Sequence, residues 1–117
     1  MSDSDCLFCK IANGEIPTDF LYEDDLVVAF RDINPLTPTH VLVVPKKHYD
    51  NICDNVPAET LAAIAHAVDV VTKAEGIDKT GYRCVTNTGD DGGQSVHHLH
   101  VHVLGGRKLR GDMGEGM

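Results

Sequence analysis

Cationic side chains are scarce in this 117-residue chain: ten lysines and arginines stand against eighteen aspartates and glutamates, for a formal net charge of -8. A surface of that sign repels a phosphate backbone, so bulk nucleic acid is disfavoured as a partner while a small nucleotide is not. No apolar run approaches the roughly 20 residues that cross a bilayer. The opening Met-Ser-Asp-Ser-Asp is neither basic nor followed by the apolar stretch of an export signal. A membrane partner is therefore not expected, and a cytoplasmic protein is. Cysteine is limited to Cys6, Cys9, Cys53 and Cys84, which without an export signal read as reduced thiols or metal ligands, not as a disulfide scaffold. Repeats and low-complexity stretches are also missing. The length suits one compact domain over residues 1–117, with any site built in a single core or at a subunit interface.

Hydrophobic residues make up 42% and charged residues 24%, enough of the former for a folded core. Asn13-Gly14, Pro17, Pro35, Pro38, Pro57 and the glycine-rich stretch 89–93 mark loops between short elements. Residues 6–12 read as a short helix stopped by Asn13-Gly14. Residues 20–23 and 26–31 read as a hairpin around Asp24-Asp25. The β-branched run 40–45 suits a central strand. Over 57–75, Leu61, Ile64, Val68 and Val71 recur at helical spacing, with Pro57 suited to a first turn. Residues 82–87 and 98–104 read as a second strand pair. The order helix, hairpin, strand, long helix, hairpin predicts an α+β fold with a five-stranded antiparallel sheet, one long helix and one short helix.

Four of the seven histidines fall between positions 97 and 102. In a strand, side chains alternate faces, so His98, His100 and His102 project together while His97, Leu99, Val101 and Val103 take the other side. Three histidines at that fixed spacing arise by chance with a probability of about 0.02 over such a chain. A row of imidazoles can bind a metal or merely pack. It also suits attack on phosphorus, because a neutral imidazole is a competent nucleophile near pH 7 and its neighbours can stabilise charge or move protons. The loop 87–95 just before the row offers flexible backbone N–H groups and the Ser95 hydroxyl to a phosphate.

His98-x-His100-x-His102 followed by Val103-Leu104 resembles the signature of the histidine triad (HIT) family. The likeness extends to Phe8-x-Lys10-Ile11, Glu15-Ile16-Pro17, Phe30-Arg31-Asp32-Ile33, Thr39-His40, Pro45-Lys46-Lys47-His48 and Gly92-Gly93-Gln94-Ser95, and it is similar to the nucleotide-binding phosphoramidase branch. The resemblance implies a HIT-like fold and a homodimer whose sheets join. It implies a purine nucleotide substrate cleaved through a nucleotidyl-histidine intermediate, with no organic cofactor. By position, His100 is the nucleophile, His102 assists the phosphate and the leaving group, and His40 and Ser95 complete the catalytic set. Asp32 would hold the ribose hydroxyls, and Asn87, Gly93 and Ser95 the phosphate. Phe8, Ile11, Ile16, Phe30, Ile33 and Leu42 would wall the base. His102 in place of a glutamine resembles the hydrolases of the family and not its nucleotidyl transferases. Residues 108–117 lack the tryptophan that several phosphoramidases carry near the partner's active site.

Cys6-x-x-Cys9 is half of a tetrahedral zinc site. In some microbial family members the pair resembles a structural zinc site completed by residues matching His48 and His98; the alternative is a pair of reduced thiols. His66 and His97 read as structural or exposed, and Cys53 and Cys84 as small buried hydrophobes. Two competing functions are a dinucleoside polyphosphate hydrolase using the same nucleophile and a nucleotide-binding regulatory protein with incidental activity. A purely metal-binding protein is a third.

Overall fold

The computed structural model describes residues 5–111; the opening four residues and the tail beyond 111 lie outside the described residues. Helix α1 (Leu7–Ala12) is followed by β1 (Phe20–Glu23), β2 (Val27–Arg31), β3 (Thr39–Pro45), helix α2 (Ala58–Ala74), β4 (Tyr82–Val85) and β5 (Val101–Gly105). The five strands form one sheet in the order β1-β2-β3-β5-β4, antiparallel throughout. The expected fold class is therefore the observed one. No helix among the described residues is long and apolar enough to cross a membrane.

Local chemistry sets most element ends. Asp24 turns the first hairpin by accepting from the Leu26 and Val27 N–H groups at 2.8 Å each. Pro57, with extended backbone, stands immediately before α2. Cys6 caps α1 through its sulfur, which accepts from the Cys9 N–H at 3.3 Å. The last pair is not a tight hairpin. β5 begins at Val101, three residues later than the pattern predicts, because the backbone ahead of it is spent on other partners. Leu99 N–H donates to the Tyr49 carbonyl at 2.6 Å, and the His98 carbonyl receives the His100 ring.

The sheet's alternation builds two cores. Val27, Ala29, Val41, Val43 and Val103 pack against Ile64, Ala67, Val68 and Val71 of α2. Val28, Phe30, Leu42 and Val44 face α1, meeting Phe8, Ile11 and Ala12. Val27, Val41, Val43 and Val103 are fully buried, each worth about 1.5–3 kcal/mol of hydrophobic stabilisation. The helical stripe differs from expectation at one end. The buried face of α2 starts from Thr60, and Leu61, 39% exposed, lies one 100° step further round. Cys53 and Cys84 are exposed, not buried. Cys53 follows Asn51 in a surface turn, and Cys84 lies on the edge strand β4, which has a sheet neighbour on one side only.

Candidate active site

The face of the sheet opposite α2 carries the histidines. In the β3–β5 register His40 lies opposite Leu104 and Leu42 opposite His102. His100 stacks edge-on against Phe8 at 5.0 Å between ring centroids and lies 5.0 Å from His102, which lies 5.1 Å from His40. Of the three histidines expected on a common face, His100 and His102 share it, while His98, which like His100 stands ahead of the strand proper, turns to Cys6 and Cys9.

The hydrogen bonds assign a proton to each ring. The His98 carbonyl accepts at 2.7 Å from His100 Nδ1, which must therefore carry the hydrogen. His100 Nε2 is left with its lone pair. His40 Nδ1 accepts the Leu36 N–H at 3.1 Å, so its proton sits on Nε2, from which it donates to His102 Nδ1 at 2.9 Å. His102 in turn carries its hydrogen on Nε2. Burial supports these neutral forms by disfavouring charged imidazole. It pushes His40 and His100 below the usual histidine range, against the opposing pull of Asp32. His102 is pushed down to about 4, by burial first and then by the neighbouring His100 and His40. Asp32 Oδ2 lies 3.5 Å from His40 Nε2, while Oδ1 accepts the Asn34 N–H at 2.9 Å.

A cavity of about 540 Å³ opens over this face. Phe8, Ile11, Ile16, Phe30, Leu42, Asp32, Ile33, Ser95, His100 and His102 line it, so most of the residues singled out for nucleotide binding converge. Ile33 sits at its rim, 91% exposed. His40 reaches the site through His102 and does not line the cavity. Asn87 and Gly93 also stand outside the lining residues. Asn87 Nδ2 donates to the Gly92 carbonyl at 2.7 Å, folding the loop on itself. Gly93 has φ +77°, and a Cβ on Gly92 would collide with the Thr88 carbonyl, so both positions need glycine. Gln94, unassigned from sequence, is buried. Its Oε1 accepts the Gly89 N–H at 2.9 Å, and its Nε2 donates to the Val96 carbonyl at 3.1 Å. The sequence also gave no sign of the Leu36 amide as the orienter of His40, since any residue but proline supplies that N–H.

Cys6, Cys9, His48 and His98 form a second cluster, with one ligand atom of each within 4.8 Å of the others. His98, fully buried, donates from Nε2 to the Pro45 carbonyl at 2.8 Å, and His48 Nε2 donates to Asp50 Oδ1 at 2.9 Å. Both Nδ1 atoms therefore present lone pairs. His98 Nδ1 lies 3.2 Å from Cys6 Sγ and 3.3 Å from Cys9 Sγ, and His48 Nδ1 lies 3.2 Å from Cys9 Sγ. Sulfur and nitrogen ligands on a tetrahedral zinc stand about 3.5 Å apart. The donor set fits zinc with an outward shift of a few tenths of an ångström. The group Asp32, His40 and His102 is as close-set, but the Leu36 amide keeps His40 Nε2 protonated and so a donor, not a ligand. His97 and His66 are exposed, the latter edge-on to Tyr22 at 5.8 Å.

Residues 13–109 match the HIT domain family. The chain belongs to that family. A purine nucleoside phosphoramidase of Escherichia coli is 47% identical over 106 residues, covering 88% of each chain. A 14 kDa zinc-binding protein of Zea mays is 46% identical over 114 residues, covering 93% of this chain and 88% of its own. The crystal structure of a HIT family hydrolase from Legionella pneumophila superposes with a TM-score of 0.89 at 47% identity, covering 94% of this chain and all of that one. Within the HIT fold the three histidines of the signature divide by hydrogen bonding. His98 turns toward the cysteines, while His100 and His102 line the cavity.

Proposed function

We propose that this histidine triad hydrolase cleaves purine nucleoside phosphoramidates through a nucleotidyl-histidine intermediate on His100. The observation that carries the reading is the His100 Nδ1–H bond to the His98 carbonyl, which leaves an unprotonated Nε2 at the wall of a nucleotide-sized cavity. A buried neutral imidazole needs no deprotonation before it attacks. Its lone pair forms the Nε2–phosphorus bond as the phosphorus–nitrogen bond breaks. The departing electron pair stays on nitrogen, which leaves as an amine with a proton from a water molecule held by the His102 Nε2–H. The hydroxide left on that hydrogen bond then attacks phosphorus, and the phosphorus–Nε2 bond breaks to restore neutral His100. His40 keeps His102 in the tautomer this exchange requires. The Ser95 hydroxyl sits beside the phosphate, Asp32 holds the ribose hydroxyls, and the apolar wall from Phe8 to Leu42 holds the purine.

Cys6, Cys9, His48 and His98 would hold one structural zinc that ties α1 to the segments after β3 and before β5. Four protein ligands leave no open position for water, so the metal supplies stability and fixes His98 as a ligand. A homodimer joined through β4 is part of the reading. That strand is a sheet edge with Tyr82 and Cys84 exposed, and an unpaired edge is a template for a second strand. The setting is cytoplasmic, where the thiols stay reduced.

Mass spectrometry of enzyme quenched during turnover of adenosine phosphoramidate tests the chemistry. A nucleotidyl adduct on the peptide carrying His100, lost in His100→Ala together with turnover, is the expected result. An adduct elsewhere, or near wild-type hydrolysis by His100→Ala, overturns it.

A further inference from the structure

The triad's cavity shares Leu7, Ser95 and Val96 with a second cavity of about 430 Å³, whose other walls include Asp5, His48 and His97. Displacement at phosphorus sends the leaving nitrogen away from His100, and Ser95 is where the two spaces meet. Charge then limits what can lie beyond. Arg31 is the only lysine or arginine among the described residues lining either cavity. Its guanidinium is engaged on both sides, with Nη1 2.6 Å and Nη2 2.7 Å from the Glu75 carboxylate oxygens. The second cavity carries the exposed carboxylate of Asp5, and Asp50 stands 2.9 Å from His48 on its flank. A leaving group with phosphates of its own would bring several negative charges to a wall that has no free lysine or arginine among the described residues to meet them. Like charges brought together in this way disfavour binding.

We propose that the Asp5–Leu7–His97 cavity is the leaving-group subsite and that it selects amines carrying a second, cationic group at the far end, which pairs with Asp5. Leu7, 48% exposed, offers apolar contact to the alkyl chain between the reacting nitrogen and that cation. Ser95 marks the entrance. The inference rests on the phosphoramidase reading and narrows it, because a dinucleoside polyphosphate has the wrong charge for this wall.

The test is kcat/KM of the zinc-loaded full chain on three nucleoside phosphoramidates whose leaving alkylamines end in ammonium, methyl or carboxylate. The unsubstituted phosphoramidate and a dinucleoside tetraphosphate are assayed beside them. An exposed ion pair gives a preference for ammonium over methyl of about two- to fivefold, shrinking as salt is raised. Asp5→Asn collapses that ratio, and Asp5→Lys inverts it toward the carboxylate. Each ratio is taken within one protein preparation, so loss of folded material cancels. Equal rates on the three amines, or a ratio that survives Asp5→Asn, overturn the subsite while leaving the phosphoramidase reading intact. Faster cleavage of the tetraphosphate overturns the subsite as well. Failure to cleave the unsubstituted phosphoramidate overturns the reading beneath it.

Discussion

Removing the His40 ring isolates the role given to the histidine chain. In the folded protein the Leu36 N–H fixes His40 with its proton on Nε2, and that proton's 2.9 Å bond to His102 Nδ1 fixes the partner's hydrogen on Nε2. His40→Ala deletes a neutral hydrogen bond worth roughly 0.5–1.5 kcal/mol. His102 is then free to carry its hydrogen on Nδ1, and the productive tautomer loses a bias of about two- to tenfold. The His102 ring, without that bond, must also be held in place by packing alone. The loss falls only on steps that need the proton. An alkylamine must be protonated to depart, whereas p-nitrophenolate departs without help, so kcat/KM on an adenosine phosphoramidate should drop by about tenfold and on the p-nitrophenyl ester of the same nucleotide by much less. Both substrates are assayed on one preparation, so a partly unfolded variant cannot mimic the split. Equal losses on the two would refute the tautomer argument and reduce His40 to a packing residue.

Three other outcomes follow from the same geometry. If the Cys6–Cys9–His48–His98 set holds zinc, metal in 100-fold excess over its dissociation constant adds about 2.7 kcal/mol. With roughly 2.1 cal/mol/K of unfolding entropy per residue, a chelator should lower Tm by about 11 °C, and Cys9→Ser, at a buried ligand, should abolish the response; protein isolated without metal, or an unmoved Tm, rejects the site. Asp32→Asn should weaken ribonucleotides about tenfold or more through loss of a charged hydrogen-bond acceptor, with little effect on deoxy analogues in titration calorimetry; equal losses would remove the ribose role. His102 is pushed down to about 4 from an ordinary 6.5, so as pH falls the unfolded chain takes up that proton first. Stability from this group is full above about 6.5, declines by up to roughly 3 kcal/mol toward 4 and then levels off. Urea denaturation at pH 7 and pH 4.5 should show a steeper decline in wild type than in His102→Gln; identical declines would mean that His102 titrates normally.

Periodicity made the architecture readable without coordinates. The unbroken β-branched run in 40–45 and the 3.6-residue stripe in 57–75 are local patterns, each fixed within one stretch of consecutive residues. Local pattern likewise placed His100 and His102 on one face, and the Cys6-x-x-Cys9 spacing marked half of the Cys6–Cys9–His48–His98 cluster. It failed where partners come from elsewhere in the chain. β5 starts at Val101 and not at His98 because Tyr49 and the His100 ring claim the intervening backbone. Leu61 is at the rim of its helix, and Cys53 and Cys84 are exposed, because burial depends on what lies opposite. The proton on each imidazole was settled by the Leu36 amide, the Pro45 and His98 carbonyls and the Asp50 carboxylate. Three of those four are backbone groups that every sequence possesses. The residue type proposed as the nucleophile was thus written in the pattern, whereas which nitrogen keeps a lone pair was decided only when the fold brought specific donors and acceptors to within 3.1 Å of these rings.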